Sequence, residues 1–452
     1  MVLHRFAEFA VAHRTAPLSG DVSHAATRAV VDWFAATVPG SGMRPARVLR
    51  DTLVDEPTSG SARLVPDGVA VAPRTAALIN GTAAHTVELD DIYRDGIYHP
   101  GAPTVAAVLA TAEHVGASGA DLLRAVAVGY EVGARIAAAI QPAHYAYWHT
   151  TGTVGTIGAA AGASEVLELE VEQFTHALAT ATTMAAGLQQ AFRSDTMSKP
   201  LHSGHAAEAG LLGALAAARG FTGAADVLDG AAGFGAAMSD GPDWEDAVAR
   251  LGSPWAVTTA TVKNHACCGH AFAAVDAVLD VRAEGIRIDD IDRITVATYE
   301  TATEVAGNPN PATEFEAKFS TAYCVAAALC LGSVRPRAFD DGHLHDPRLR
   351  DLMKRVTLTV DPDFDASFPR QRGARLRIDM QDGTQHVRVR PTRKGDPDDP
   401  LTDVELSDKF DELVSPVLGR EGCAALSTAL WELRTSENVR GLSTEREGEN
   451  AT

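Results

Sequence analysis

The apolar residues of this 452-residue chain change their spacing after about residue 285. Up to about residue 260 they recur at helical intervals within alanine-rich stretches, as Val30, Phe34 and Val38 do. Beyond residue 285 they alternate with polar residues, which is the period of a half-buried strand. The change of period predicts a mainly α chain in which one smaller region carries a sheet.

The two periods also place the main elements. The helical period predicts helices over about residues 22–38, 103–116, 122–140, 151–168, 171–190 and 203–219. Glycines at positions 152, 155, 158 and 162 lie close to one helical face, which predicts close packing of that helix against its neighbours. Later patterns predict strands at 294–298 and 356–360, and helices at 321–331 and from about 403 to 434.

A hairpin is predicted from Leu376 to Val389, with Asp382-Gly383 as its turn. Its apolar residues, among them Leu376, Ile378, Val387 and Val389, are expected on one face. The opposite face is expected to carry Arg375, Arg377, Arg388 and Arg390.

These elements predict two domains. We expect a large all-helical domain formed by both chain ends, residues 1–263 and 403–452, with a smaller α+β domain inserted at 264–402. A turn-rich, charged segment from Lys394 to Asp403 precedes the second boundary. The polar stretch from Glu437 to Thr452 is expected to be loose.

Charge and composition exclude several classes of protein. The chain has 39 Lys and Arg against 59 Asp and Glu, a net charge of −20, which argues against nucleic acid as a partner. It has no long uninterrupted apolar run, so we expect neither a signal peptide nor a membrane span. Its five cysteines are odd in number and unevenly spread, which favours a reduced, cytoplasmic setting.

Five segments concentrate ionisable residues within apolar surroundings: 80–101, 148–153, 197–202, 263–270 and 318–323. Each has a structural interpretation as well as a functional one. His85 and His99 suit buried helix ends, and His149-Thr150 suits a helix cap. Lys199-Pro200 suits an exposed joint between helices, and Tyr323 suits a core position with a satisfied hydroxyl.

Two cofactor hypotheses arise from these segments. Aspartates at 90, 91 and 95 form a D-D-x-x-x-D string similar to the magnesium motif of terpenoid synthases, but a second metal motif and an aromatic-rich composition are lacking. Cys267-Cys268-Gly269-His270 offers metal ligands, but adjacent cysteines do not suit the Cys-x2-Cys arrangement and no second pair exists. We therefore expect no metal and no organic cofactor.

In their order along the chain, the motifs resemble the MmgE/PrpD family, which includes 2-methylcitrate dehydratases, cis-aconitate decarboxylases and iminodisuccinate epimerases. The resemblance covers nearly the whole chain. Its motifs are N-G-x-x-A-H, D-D and H-P-G within 80–101, G-Y-E-V at 129–132, the histidine and glycines of 149–160, K-P-L-H at 199–202, Lys263 with C-G-H at 268–270, and K-F-S-x-x-Y at 318–323.

The resemblance implies a helical domain with an α+β lid, a homodimer, a site in the cleft between domains, and metal-independent chemistry on a small polycarboxylate. The implied catalytic residues are His99, His149, Asp90, Asp91, Lys199 and Tyr323. The implied substrate-binding residues are Lys263, His270, Glu88, His85 and Cys268.

Two departures from the family pattern leave the reaction open. Ile92 follows the aspartate pair where threonine is common, and Cys268 stands where the decarboxylases place a histidine. The first hypothesis is a cofactor-independent lyase that dehydrates or decarboxylates its substrate through a carbanion next to a carboxylate. The alternatives are an epimerase or isomerase of a polycarboxylate such as iminodisuccinate, and a non-catalytic helical binding protein.

Overall fold

The computed structural model describes residues 1–15, 17–54, 60–192, 196–368 and 371–442. These residues are mainly helical, which confirms the predicted fold class. They form two compact units, one from the described parts of Met1–Val262 and Thr402–Thr452, the other from those of Lys263–Leu401. Within the described ranges, no helix combines the length and apolar character needed to cross a membrane.

The first unit is built from helices and a two-stranded antiparallel ladder of β1 (Ala62–Arg63) and β2 (Ala70–Val71). Its α-helices are Val2–His13, Gly20–Ser41, Arg44–Leu53, Pro73–Thr86, Gly101–Val115, Gly119–Ala139, Thr150–Val166, Val171–Thr183, Ser198–Ala217, Phe234–Met238, Trp244–Ala249 and Asp403–Trp431. Its 3-10 turns are Arg94–Gly96, Ala143–Ala146, Gln189–Phe192, Ala256–Thr259 and Leu433–Thr435.

Helix Thr150–Val166 lies at the centre of this unit, and all of its residues are buried. It packs against Gly119–Ala139 and Ser198–Ala217. A Cβ atom added at Gly162 would lie 2.5 Å from a methyl carbon of Val108, so the glycine face permits the close packing that the sequence predicted. This rigid centre fixes the position of the residues just before Thr150.

Two predicted helices differ by five residues or more at one end from their bounds in the structure. The helix expected over 171–190 ends at Thr183, and the chain beyond it forms an antiparallel bridge between Leu188 and Trp148. Gly187 has a φ of 138°, and its carbonyl accepts a hydrogen bond from the His149 amide at 2.9 Å. The helix expected from 203 begins at Ser198, since proline is tolerated in a first helical turn.

The second unit contains a four-stranded sheet in the order β4-β3-β5-β6. Strand β3 pairs in parallel with β4 and antiparallel with β5, and β5 pairs antiparallel with β6. The strands are β3 (Ile291–Thr298), β4 (Val356–Val360), β5 (Ala374–Met380) and β6 (Gln385–Arg390). The helices are Phe272–Ala283, Glu300–Val305, Glu314–Lys318, Thr321–Leu331, Asp341–Leu344, Pro347–Met353 and Pro362–Ser367, with 3-10 turns Ile288–Asp290 and Pro336–Phe339.

The predicted face assignment of the β5–β6 hairpin is wrong. Leu376 lies opposite Arg388, and Val387 is 51% exposed on the other face, opposite Arg377. The Met380 amide donates to the Thr384 carbonyl, so the loop has three residues instead of two. A register shift of one residue turns every side chain of a strand to the other face.

The turned side chains of β6 have ionic partners. Arg390 forms a bidentate pair with Asp280, and Arg388 pairs with Glu284. These acidic groups belong to helix Phe272–Ala283 and the residue that caps it. Ion pairing on one side of β6 thus replaces the apolar contact that the sequence predicted there.

The chain after the last helix is partly ordered, contrary to the prediction of a loose tail from residue 437. Val439 and Leu442 are buried, and the Arg440 side chain donates to the Glu113 carbonyl at 3.0 Å. Residues 443–452 lie outside the described residues.

Candidate active site

A buried carboxylate joins two histidines in the first unit. Asp90 is 1% exposed, and its Oδ2 lies 2.6 Å from His85 Nδ1 and 3.1 Å from His99 Nδ1. His85 comes from the last turn of helix Pro73–Thr86, and Asp90 from the turn that follows it, where Glu88 adopts a positive φ. His85 is therefore at a helix end, as its structural interpretation required, but a carboxylate binds it.

The electrostatics of this cluster keep Asp90 ionised. Burial alone would raise its pKa, but the charges and hydrogen bonds of His85 and His99 outweigh burial and hold the pKa well below its ordinary value. A carboxylate that accepts from Nδ1 fixes the imidazole tautomer and stabilises the imidazolium form. The His85 side chain is fully buried whereas that of His99 is 15% exposed, so His99 is the member that a substrate can reach.

A second pair of histidines lies beside the first. The Nδ1 atoms of His149 and His202 are 3.1 Å apart, and the His149 ring stacks on His85 with centroids 5.4 Å apart. Burial above all, and then nearby cationic groups, holds the pKa of His149 well below its ordinary value and lowers that of His202 to about 4. Both rings are uncharged at neutral pH, so a single proton lies between the two Nδ1 atoms.

His149 occupies the N-cap position of helix Thr150–Val166, but its side chain makes no capping hydrogen bond. The capping interpretation of His149 is therefore wrong. His202 was absent from the predicted site, although the sequence carried a signal for it. It follows Lys199 by three residues on one helix, and this spacing puts both side chains on the same face.

Lys199 lies in the first turn of helix Ser198–Ala217, so the interpretation of Lys199-Pro200 as a joint between helices is wrong. Its ammonium group binds the carboxylate of Glu88. The side chains of Lys199 and Glu88 are 17% and 33% exposed, which leaves both within reach of a solute. The charge of Lys199 also contributes to the low pKa of His149.

The structure separates the roles of the adjacent aspartates. Asp91 does not contact the histidine rings; its Oδ1 accepts a hydrogen bond from the Gly101 amide at 2.9 Å. A Cβ atom at Gly101 would lie 2.7 Å from that oxygen, so glycine is needed there. Burial, and then the charge of Asp32, raises the pKa of Asp91 to about 8. Asp91 is therefore largely protonated at neutral pH.

The second unit holds the other predicted site residues. Lys263 is 5% exposed, and burial raises the pKa of the Cys268 thiol to about 11, so the thiol stays protonated at neutral pH. His270 Nδ1 lies 2.7 Å from the Tyr299 hydroxyl. Tyr323 is fully buried and donates its hydroxyl to the Ala338 carbonyl at 2.6 Å, as its core interpretation required. Its role as an acid stays a prediction. In that role the hydroxyl would have to give up its hydrogen bond to the Ala338 carbonyl and donate to the substrate instead.

Family models extend over both units. The MmgE/PrpD N-terminal domain matches residues 4–247, and the MmgE/PrpD C-terminal domain matches residues 265–433. The chain belongs to the MmgE/PrpD family.

Several curated relatives match most of the length of this MmgE/PrpD protein. The cis-aconitate decarboxylase-like protein oryM of Aspergillus oryzae is 28% identical, over 94% of this chain and 93% of the relative. The cis-aconitate decarboxylase of Mus musculus is 29% identical, over 82% and 78% of the two chains. That of Homo sapiens is 29% identical, over 84% and 80%.

Among the described residues of this MmgE/PrpD chain, one group of three offers donor atoms that could hold a metal ion. One donor atom each from His85, Asp90 and His99 lies within 4.8 Å of the others. The His85–Asp90 contact of 2.6 Å is already a hydrogen bond, however. A metal at these atoms would have to displace the proton that orients His85, so the donor set fits proton transfer more directly than ligation.

Asp91 gives a first testable prediction for this MmgE/PrpD protein. Its folded pKa of about 8 exceeds its ordinary value of 3.8, so the folded protein holds a proton that the unfolded chain releases. The stability that Asp91 contributes is complete below about pH 4 and falls as the pH rises to about 8. Asp91→Asn should remove this pH-dependent loss of stability. The free energy of unfolding of the variant, relative to that of wild type, should therefore increase from pH 5 to pH 8.

Urea denaturation of both proteins at the two pH values measures the effect. One pKa unit corresponds to about 1.4 kcal/mol, so the relative change should amount to a few kcal/mol. Asp292→Asn, which alters an exposed carboxylate, is the matched control and should follow wild type at both pH values. Parallel pH profiles of Asp91→Asn and wild type would contradict the assigned pKa.

Proposed function

We propose that this chain is a lyase that decarboxylates or dehydrates a small polycarboxylate of the cis-aconitate or 2-methylcitrate class. The observation that carries the proposal is the ionised, buried Asp90 beside two histidines, with His99 accessible and the Lys199 cation nearby. The curated relatives named cis-aconitate decarboxylases support the same reaction class.

Both reactions place negative charge on a carbon next to a carboxylate. In decarboxylation the bond to the leaving carboxylate breaks, carbon dioxide departs, and the electron pair left on carbon takes up a proton. In dehydration a base removes a proton from carbon, and hydroxide leaves as water after protonation. Either reaction needs a proton-transfer group and a cation for the remaining carboxylates.

The cluster supplies these groups. We assign proton transfer at the reacting carbon to His99, because Asp90 can stabilise the imidazolium that forms. His149, uncharged at neutral pH, is the second proton-transfer group. Lys199 binds a substrate carboxylate in place of that of Glu88. The substrate-binding roles of Lys263 and His270 stay predictions. The homodimer and the cytoplasmic location stay predictions.

The reaction is tested by proton NMR of the purified protein in D2O with cis-aconitate, 2-methylcitrate, citrate and iminodisuccinate in turn. A new alkene signal or release of carbon dioxide supports the lyase. Deuterium uptake without net conversion would indicate epimerisation instead. Calorimetric binding of these acids without any change in their spectra would indicate a binding protein.

Lys199→Ala gives a second prediction. Removing the ammonium deprives a substrate carboxylate of its cation, and we expect kcat/KM to fall by about 10²- to 10³-fold. Steady-state kinetics measure this change, and circular dichroism checks the fold. Lys354→Ala removes an exposed lysine and serves as the matched control. Turnover within a few-fold of wild type in Lys199→Ala would refute the assigned role.

A further inference from the structure

Tyr299 holds His270 in a fixed geometry within the second unit. The phenol oxygen lies 2.7 Å from His270 Nδ1, and Tyr299 is 1% exposed. Its ring stacks on Phe368, with centroids 4.6 Å apart and an interplanar angle of 15°, and it packs with Ala302 and Phe364. The phenol therefore has little freedom to turn away from the imidazole.

The hydrogen bond fixes where the imidazole carries its proton. Burial raises the pKa of Tyr299, so the phenol keeps its hydrogen. Among the described residues, the hydroxyl has one hydrogen-bond partner, His270 Nδ1. A proton on Nδ1 would leave the buried hydroxyl hydrogen without an acceptor, which is unfavourable. The hydroxyl therefore donates to Nδ1, and the ring proton of His270 is on Nε2.

His270 is also uncharged at neutral pH. Burial, followed by the charges of Arg372 and Arg393, lowers its pKa to about 4. Arg393 is itself bound by Asp396 in a bidentate pair, whereas the Arg372 guanidinium lies over the Phe368 ring, 5.8 Å from its centroid. Burial and the two nearby guanidinium groups disfavour a charged His270 ring. They are compatible with a neutral His270 that donates an N–H hydrogen bond to an anion.

We propose that Tyr299 is a positioning residue that holds His270 as a neutral Nε2–H donor for a carboxylate of the substrate. In this form His270 binds the carboxylate and leaves proton transfer to other groups. The identity of the bound group rests on the proposed function. The assigned tautomer of His270 rests instead on its contact with Tyr299. Tyr299 is a residue that the motifs did not indicate, since it lies 29 positions from His270.

The tautomer is measured on the whole protein without substrate, by long-range proton–nitrogen NMR of a sample labelled with 15N-histidine at neutral pH. His270→Gln assigns the His270 signals by their loss. We expect an unprotonated Nδ1 and a protonated Nε2 in wild type. A protonated Nδ1, alone or in an imidazolium, would overturn the proposal.

Tyr299→Phe tests the cause. Without the hydroxyl, both tautomers of His270 should be populated, and its two nitrogen shifts should move towards each other. Tyr323→Phe removes another buried hydroxyl of the same unit, and it should leave the His270 signals in place. Unchanged His270 shifts in Tyr299→Phe would overturn the positioning role.

Kinetics then test the bound group. We expect Tyr299→Phe to raise KM for the polycarboxylate about tenfold with kcat within a factor of about three, because substrate binding is weakened and proton transfer is not. A large loss of kcat at unchanged KM would overturn the carboxylate assignment. A correct tautomer in a protein that turns over no polycarboxylate would leave the positioning role in place and reject the proposed function instead.

Discussion

Replacing Asp90 by asparagine should lower kcat for the polycarboxylate by about 10³- to 10⁴-fold while the protein stays folded. The carboxylate accepts the Nδ1 proton of His85 at 2.6 Å and lies 3.1 Å from His99 Nδ1. An amide of the same shape carries no charge to stabilise an imidazolium, and its NH2 group favours the wrong tautomer of a facing ring. Steady-state kinetics measure the loss, and thermal unfolding checks the fold.

A neighbouring aspartate provides the control. Asp95 is exposed, and it completes the D-D-x-x-x-D string that the sequence shares with magnesium-binding synthases. Asp95→Asn should retain wild-type turnover if the chemistry belongs to the Asp90 cluster. A similar loss in both variants would favour an acidic metal motif. An Asp90→Asn variant with more than a tenth of wild-type kcat would contradict the role given to Asp90.

The helical part of the fold could be predicted because its information is local. The spacing of apolar residues fixes which face of a helix is buried, and small residues such as Gly162 show where another helix approaches. The prediction of which side chains share a face of the β5–β6 hairpin was wrong for the opposite reason. Its faces depend on whether the loop has two or three residues, and Asp382-Gly383 suits both lengths.

The site also divides into contacts between residues that are close in sequence and contacts between residues that are distant in sequence. His85 and Asp90 are five residues apart, so a helix end and one turn bring them together, although the sequence predicted both as site residues without pairing them. Tyr299 reaches His270 through strand β3, which the pattern of polar residues does not reveal. Asp32 and Lys409 are 377 positions apart in sequence, and only the packed structure shows that they meet.

Replacing Lys409 by methionine should destabilise the protein by about 3–5 kcal/mol. Lys409 is fully buried, and its ammonium lies 2.5 Å from Asp32 Oδ1 and 2.9 Å from the Leu89 carbonyl. Burial already raises the pKa of Asp32 despite this cation, so without it the carboxyl group must lie unpaired in the core or take up a proton. Chemical denaturation of wild type and variant measures the difference. Lys354→Met, at an exposed position, should change it little.

The double variant Asp32→Asn with Lys409→Met separates stability from activity. It removes both charges, and most of the lost stability should return, because an apolar or neutral replacement of a buried ion pair costs little. The contact to the Leu89 carbonyl is not restored, however, and Leu89 directly precedes Asp90. We therefore expect the double variant to unfold near the wild-type midpoint and still turn over substrate more slowly. Full recovery of turnover together with stability would mean that Lys409 supports the core alone and does not position Asp90.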